Sequence, residues 1–306
     1  MTTAFPFLDG PGPLAFAHRG AAPDGLENTM AAFGRVVALG YRYLETDVRV
    51  TRDGVPVAFH DARLDRVTDR RGPVADLTWA QLAGVRIGGR EPVPLLEDLL
   101  GAWPQVRINL DVKTAAGIGP LAAALRRTGA VDRVCVGAFS DARLVRIRRV
   151  VGPRLATSLG PRAALALWLA ALRPCPAGSR RARCGGRRRP PAVACVQVPP
   201  RIGAVTVLDR RFLDEAHRRG LQVHAWTINS PAEMTRLLDL GVDGIMTDRA
   251  EDLRDILRAR GQWPVPPGCP GARGPQWRPP GGGGPDTGPP DTGTPDTGTP
   301  EDSTGT

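Results

Sequence analysis

Two histidines, three carboxylates, an arginine and a lysine carry the chemistry legible in this chain. His18-Arg19-Gly20 comes first, then Glu45-Thr46-Asp47, His60-Asp61 and Asp111-Val112-Lys113. Four histidines occur in all (His18, His60, His217, His224), and the first two stand beside acids at the ends of apolar runs. Imidazole titrates near neutral pH, so two of them can share the taking and giving of a proton. Carboxylates two positions apart on a strand project from one face and can grip a hard cation through oxygen alone. That donor set favours Mg2+ or Ca2+ over Zn2+. Lys113 is the one lysine among 41 basic residues. A chain that writes arginine everywhere else keeps lysine where a compact, strongly hydrated point charge is wanted. Three carboxylates (Glu45, Asp47, Asp111), a divalent cation, Arg19 and Lys113 would leave a single net positive charge, which a phosphodiester monoanion neutralises. His217 and His224 read as surface or packing residues.

The elements that must position these groups alternate. Strand-like runs fall at 14–18, 43–48, 106–112, 133–139, 155–159, 193–198, 222–228 and 244–247, each followed by a helical pattern. Eight such units predict an α/β chain, a (β/α)8 TIM barrel over residues 14–262. An open doubly wound sheet would carry a glycine-rich first turn, and Gly20-Ala21-Ala22-Pro23 is not one. In a barrel the C-terminal strand ends share one pocket. They carry His18 and Arg19, Glu45 and Asp47, Asp111 and Lys113, then Ser140, Gln197, Trp226 with Asn229, and Thr247 with Asp248. The segment from Thr51 to Pro94 is too long for one loop. Its Asp53-Gly54 is a hairpin turn signal that leads back into His60-Asp61. An insertion after the second strand is therefore expected at about 62–93. The apolar run 163–172 is too short to span a bilayer and reads as a buried helix. Residues 1–13 form an N-terminal extension. Residues 263–306, with their Pro-Asp-Thr-Gly repeats, are expected to be a disordered tail.

Composition bounds the function. The formal net charge of +10 comes from arginine in a Gly-, Pro- and Ala-rich chain, a pattern of GC-rich coding that does not call for a nucleic-acid partner. Seven arginines cluster in 173–191, on the loop expected opposite the catalytic face. That loop lacks the interleaved aromatics of a base-stacking surface. Five cysteines without C-x-x-C spacing indicate reduced thiols rather than a zinc site or a disulfide framework. The first residues show no signal-peptide pattern, so a cytoplasmic protein without a transmembrane segment is expected.

In order and spacing these motifs resemble the glycerophosphodiester phosphodiesterase family. The resemblance rests on His18-Arg19-Gly20, Glu27-Asn28-Thr29, Glu45-x-Asp47, Thr51-x-Asp53-Gly54, His60-Asp61 and Asn109-x-Asp111-x-Lys113. It continues through Ala225-Trp226-Thr227-x-Asn229 and the run from Gly241 to Asp248. It implies a phospholipase-C-like barrel with Glu45, Asp47 and Asp111 as metal ligands and His18 and His60 as acid and base. Arg19 and Lys113 would bind phosphate, with Glu27 and Trp226 at the substrate. The third metal acid is commonly glutamate in the family and is aspartate here. The implied reaction turns glycerophosphodiesters, left after phospholipid deacylation, into sn-glycerol 3-phosphate and an alcohol. Two alternatives stand beside it. One is a lysophospholipase D-like hydrolase on the same barrel, which a long apolar groove would mark. The other is a non-catalytic binder of anionic surfaces through the arginine-rich loop. The apolar residues of the insertion are scattered, which favours a small polar head group.

Overall fold

The computed structural model describes residues 5–173 and 193–264. The tail and almost all of the arginine-rich segment lie outside the described residues. Among the described residues thirteen strands and nine α-helices follow in order. The strands are β1 (Leu14–His18), β2 (Tyr43–Val50), β3 (Pro56–Ala58), β4 (Arg86–Ile87), β5 (Glu91–Pro92), β6 (Arg107–Val112) and β7 (Val134–Gly137), then β8 (Ala156–Thr157), β9 (Cys195–Val198), β10 (Arg201–Ile202), β11 (Val205–Thr206), β12 (Gln222–Ala225) and β13 (Gly244–Thr247). The helices are α1 (Met30–Ala38), α2 (Trp79–Leu82), α3 (Leu96–Ala102), α4 (Ile118–Arg127), α5 (Asp141–Val151), α6 (Pro161–Ala171), α7 (Arg210–Arg218), α8 (Pro231–Leu240) and α9 (Ala250–Ala259).

Eight strands run parallel in the order β8-β7-β6-β2-β1-β13-β12-β9. A bridge between Ser158 and Cys195 joins the two ends, with Ala194 N donating to Thr157 O and Leu159 N to Cys195 O, both at 2.9 Å. The barrel expected from eight strand–helix units is the barrel observed. Closure leaves no open edge and sends every strand's C-terminal end to one mouth.

The floor is plugged from below. Phe5, Phe7 and Leu8 pack with Phe16 and Tyr43, and Tyr43 Oη donates to Phe7 O at 3.0 Å. At the other end of the described chain Trp263 packs edge-on against Tyr41, with ring centroids 5.1 Å apart. The first and last turns therefore belong to the barrel's packing, since their aromatic rings close apolar surface that the strands leave open.

An insertion follows the second barrel strand. Antiparallel β3 folds back on β2, and the loop beyond it carries α2 and the β4–β5 ribbon. Its scattered apolar residues converge into a small core of their own, with Leu64, Leu82 and Ile87 fully buried. The helix read as buried, α6, is not. Leu167 is its one buried residue, while Leu165, Leu169 and Leu172 stand about half exposed. Apolar residues fill nearly every position of 163–172, and length and content alone do not tell a core helix from one that shows apolar residues outward.

Candidate active site

Strand register brings the chemistry together. His18 pairs across from Glu45 on β1 and β2. Glu45 pairs with Asn109 and Asp47 with Asp111 on β2 and β6. The two-residue spacing thus becomes two stacked rows at the barrel mouth. Immediately after β1 the backbone turns through left-handed conformations at Arg19 (φ +50°) and Gly20 (φ +82°). A Cβ on Gly20 would meet the Ala32 Cβ at 2.8 Å, so glycine is required there by both conformation and space. The turn aims Arg19 N at Glu45, donating to its carbonyl oxygen at 2.9 Å and to its Oε2 at 3.2 Å.

Asp47 is the hub. It is 2 % exposed, with Lys113 Nζ 2.7 Å from Oδ1 and Arg19 Nε 3.1 Å from Oδ2. The Arg19 Nε–H is off the line a hydrogen bond needs, so that contact is an ion pair by distance alone. Asn28 Nδ2 donates to Asp47 Oδ2 at 3.2 Å, and Thr46 Oγ1 holds the Asn28 oxygen at 2.7 Å. Asn28 itself sits at φ +58°, a conformation asparagine tolerates better than most residues. Lys113 Nζ also donates to Asp111 Oδ2 at 2.7 Å. Burial opposes ionisation of Asp47, but Lys113 and Arg19 outweigh it and hold the carboxyl below its usual range. Burial likewise disfavours the Lys113 ammonium, and the two aspartates overcome this and raise its pKa.

The histidines are each held by a carboxylate. His18 Nδ1 lies 2.6 Å from Asp248 Oδ1. Asn229 Nδ2 steadies that carboxylate at 2.8 Å, and Asn229 Oδ1 accepts from Asp248 N at 2.9 Å. This leaves Nε2 turned toward Glu45, 3.8 Å from Oε2. Burial would lower the His18 pKa, but the Asp248 hydrogen bond and the charges of Glu45 and Asp248 raise it on balance. His60 Nδ1 lies 2.5 Å from Asp61 Oδ1. Arg66 Nε donates to Asp61 Oδ2 at 2.6 Å and holds that carboxyl down at about 2, helped by His60. Arg66 reaches on to Glu27 at 2.7 and 3.0 Å, and Arg19 Nη1 meets the same carboxylate at 3.1 Å. One chain of charge-assisted contacts thus runs from His60 round to Asp111.

The structure brings His18, Arg19, Glu45, Asp47, His60, Asp111, Lys113 and Trp226 to the wall of one cavity of about 740 Å³. Glu27 is not on that wall; it stands behind Arg19, locking its guanidinium. Asp248 stood among the strand ends in the sequence, yet nothing there paired it with a histidine 230 positions away. Arg66 gave no signal either, being one arginine among many. Asn109, Gln197 and His224 form a hydrogen-bonded chain deeper in the barrel, with Gln197 Nε2 donating to Asn109 Oδ1 at 2.8 Å, 3.5 Å between Gln197 Nε2 and His224 Nδ1, and His224 fully buried. Ser140 proves to be the cap of α5, its side chain accepting from Arg143 N at 3.3 Å.

Two observations fit a divalent cation here. Asp111 Oδ1 is buried without a hydrogen-bond partner, a costly state for a carboxylate oxygen. Glu45 is pushed up to about 7 by burial first and by the Asp47 charge second. Among the described residues no three His, Cys, Asp or Glu groups already converge on one point; the Lys113 ammonium bridges Asp47 and Asp111 instead. The donors are all hard oxygens, the set that Mg2+ and Ca2+ take.

The Asp248–His18 contact has a measurable consequence. Asp248→Asn removes the charge that raises His18, so any limb of the pH profile of kcat/KM that His18 governs is expected to move to lower pH. The direction is the same whether the working form is acid or base. A fall in kcat/KM of at least about tenfold is expected with it. An unmoved profile would detach Asp248 from the histidine's function.

A parallel barrel with paired imidazoles, carboxylates and cations at its mouth defines a class of phosphoric diester hydrolases. The chain belongs to the glycerophosphoryl diester phosphodiesterase family, whose sequence profile matches residues 18–252, and it is an enzyme of that kind. It is 44 % identical over 258 residues to the probable glycerophosphodiester phosphodiesterase 2 of Mycobacterium tuberculosis, covering 84 % of this chain and 95 % of that protein. A mouse lysophospholipase D, GDPD1, is 29 % identical, covering 79 % of this chain and 85 % of its own. A putative glycerophosphoryl diester phosphodiesterase from Silicibacter pomeroyi superposes with a TM-score of 0.69 at 26 % identity, covering 85 % of this chain and 100 % of that one. An Oleispira antarctica phosphodiesterase, solved with the product sn-glycerol-3-phosphate, has a TM-score of 0.65 at 21 % identity, covering 80 % and 97 %. That likeness bears on the fold. Among the described residues no helix is long and apolar enough to cross a membrane.

Proposed function

We propose that the enzyme hydrolyses glycerophospho-alcohols to sn-glycerol 3-phosphate and an alcohol, with a divalent cation, Mg2+ or Ca2+, held by Glu45, Asp47 and Asp111. The observation that carries this reading is the convergence of both imidazoles, both cations and the three acids on one cavity wall. When bound, the cation would polarise a phosphoryl oxygen and acidify an oxygen nucleophile. Arg19 and Lys113 neutralise the remaining phosphate charge as it builds on the non-bridging oxygens. His18 takes the nucleophile's proton, because its Nε2 faces the acid Glu45 beside which that oxygen would be bound. His60 gives a proton to the leaving alkoxide; its side chain is more exposed than that of His18, 32 % against 18 %, on the side where an alcohol can depart. The nucleophile is water or the glycerol 2-hydroxyl. A neighbour of the same fold is solved in complex with sn-glycerol-3-phosphate as its product, which accords with this choice of bond.

Purified enzyme with glycerophosphocholine is the direct assay. Turnover is expected with Mg2+ or Ca2+, falling by at least about a hundredfold with EDTA and returning on adding the ion back. Turnover that resists the chelator would remove the metal from the proposal.

A further inference from the structure

One guanidinium of the insertion commits all three of its nitrogens to the site. Arg66 Nε donates to Asp61 Oδ2 at 2.6 Å, while Nη1 and Nη2 take the two oxygens of Glu27 at 3.0 and 2.7 Å. Arg66, Asp61 and Glu27 are not on the cavity wall. The two carboxylates stand directly behind residues that are: Asp61 Oδ1 lies 2.5 Å from His60 Nδ1, and Glu27 Oε1 accepts from Arg19 Nη1 at 3.1 Å. Arg66 is therefore one step further back and touches both.

The backbone that presents Arg66 is pinned on either side. Leu64 N donates to Gly72 O at 2.9 Å, Thr68 N to Leu64 O at 3.1 Å and Gly88 N to Val67 O at 2.8 Å, and Thr68 bridges to Ile87. Leu64 and Ile87 are fully buried in the insertion's own core. That core thus fixes where the guanidinium sits. The Arg66 side chain is 49 % exposed, and ion pairs so open to water add little to stability. What the arrangement does fix is direction. A rigid planar fork can meet one carboxylate with two nitrogens and a second with the third, whereas an ammonium is a point charge and cannot.

We propose that Arg66 is a positioning residue for the reaction: through Asp61 it sets the ring of His60, through Glu27 the guanidinium of Arg19, and so it holds the proton donor at a fixed place relative to the cation that binds phosphate. The inference rests on the hydrolytic reading above, in which His60 protonates the leaving alkoxide. Asp61 can accept from His60 Nδ1 only while it is ionised, and Arg66 is the first cause holding its carboxyl down at about 2. His60 then keeps Nε2 for the substrate. Glu27 meanwhile keeps Arg19 in place beside Asp47. Proton delivery needs both at once, because the leaving oxygen comes within reach of His60 only when the phosphate is seated. A misplacement of about 1 Å at such a site costs up to about a hundredfold in rate.

Two esters of glycerol phosphate separate positioning from a structural role, each assayed at saturating Mg2+ or Ca2+. Glycerophosphocholine releases an alcohol that must be protonated; the p-nitrophenyl ester releases an anion that needs no proton at neutral pH. Arg66→Ala is expected to lose at least about thirtyfold in kcat/KM on the first and no more than about threefold on the second, in the pattern of His60→Ala. Both rates come from one sample, so their ratio is independent of the fraction folded. The smaller loss common to both esters reports Arg19, and inhibition by sn-glycerol 3-phosphate is expected to weaken by about threefold in Arg66→Ala and in Glu27→Gln alike. Arg66→Lys, which keeps the charge and loses the fork, is expected to behave like Arg66→Ala. In an enzyme already carrying Glu27→Gln and Asp61→Asn, adding Arg66→Ala is expected to change kcat/KM by less than about twofold. The Tm of Arg66→Ala is expected to stay within about 3 °C of wild type.

Equal losses on the two esters, in an enzyme whose His60→Ala variant tells them apart, would overturn the positioning role and leave the hydrolytic reading standing. So would an Arg66→Ala loss that persists undiminished once both carboxylates are neutralised. Wild-type turnover in Arg66→Lys would overturn it too, since charge alone would then suffice. If His60→Ala lowers both esters alike, it is the assignment of His60 as proton donor that fails. The neutralised background then decides Arg66 by itself: a loss that vanishes there upholds it as the residue that sets Asp61 and Glu27, and a loss that remains removes it.

Discussion

His18→Ala and His60→Ala are each expected to lower kcat/KM for glycerophosphocholine by at least about a hundredfold, the usual scale of positioned acid–base help. Their partners make the two losses comparable. Each imidazole is gripped through Nδ1 by an ionised carboxylate, Asp248 at 2.6 Å and Asp61 at 2.5 Å, which fixes the ring and leaves Nε2 for the substrate. If both protons move in one transition state, the double variant should fall little below the worse single one, because groups that act as a unit are not additive. Steady-state rates at saturating metal, with circular dichroism to show intact folding, measure all three. Near-wild-type activity in either single variant would remove that histidine from proton transfer. A double variant worse by the product of the two losses would place the two histidines in separate steps.

Most of this site was legible because strand geometry is periodic. Glu45/Asp47 and Asp111/Lys113 each sit two apart, so once β2 and β6 exist their side chains must share a face. The (β/α)8 count then decides which mouth they share. What the sequence concealed depends on contacts between distant segments. Asp248 lies on the last barrel strand's end and reaches the first only because β13 pairs with β1. Arg66, within the insertion, joins Asp61 to Glu27 across a loop whose path no period encodes. Glu27, expected at the substrate, is held off the cavity wall by two arginines. The outward face of α6 was concealed for a different reason: the run 163–172 is apolar throughout, so its composition does not tell which residues face outward, and only Leu167 turns inward.

The acids of the site should respond to neutralisation with opposite signs in stability. Asp47 is held ionised below its ordinary pKa by Lys113 and Arg19, against the opposing effect of burial. A depressed carboxylate contributes stability that is present above its unfolded pKa and is lost as pH falls through its folded value. Asp47→Asn leaves both cations without their common anion. A loss of about 3–5 kcal/mol is expected, the scale for breaking a buried pair from one side, together with most of the activity. Glu45 is the reverse case. Burial and the Asp47 charge raise it from 4.5 to about 7, so in metal-free protein the native state holds its proton longer than the unfolded chain does. Its contribution is then complete below pH 4.5 and is lost as pH rises through about 7. Glu45→Gln keeps an acceptor for Arg19 N while removing the charge. It is therefore expected to stabilise the metal-free enzyme at pH 8 by on the order of 3 kcal/mol, to abolish its decline between pH 4.5 and 7, and to cost at least about a hundredfold in metal-supported turnover. Urea titrations of metal-free protein across that range, read beside activity with added Mg2+ or Ca2+, test both signs together. A Glu45→Gln enzyme that is less stable than wild type without metal would mean that this carboxylate is needed by the fold rather than tolerated for the cation.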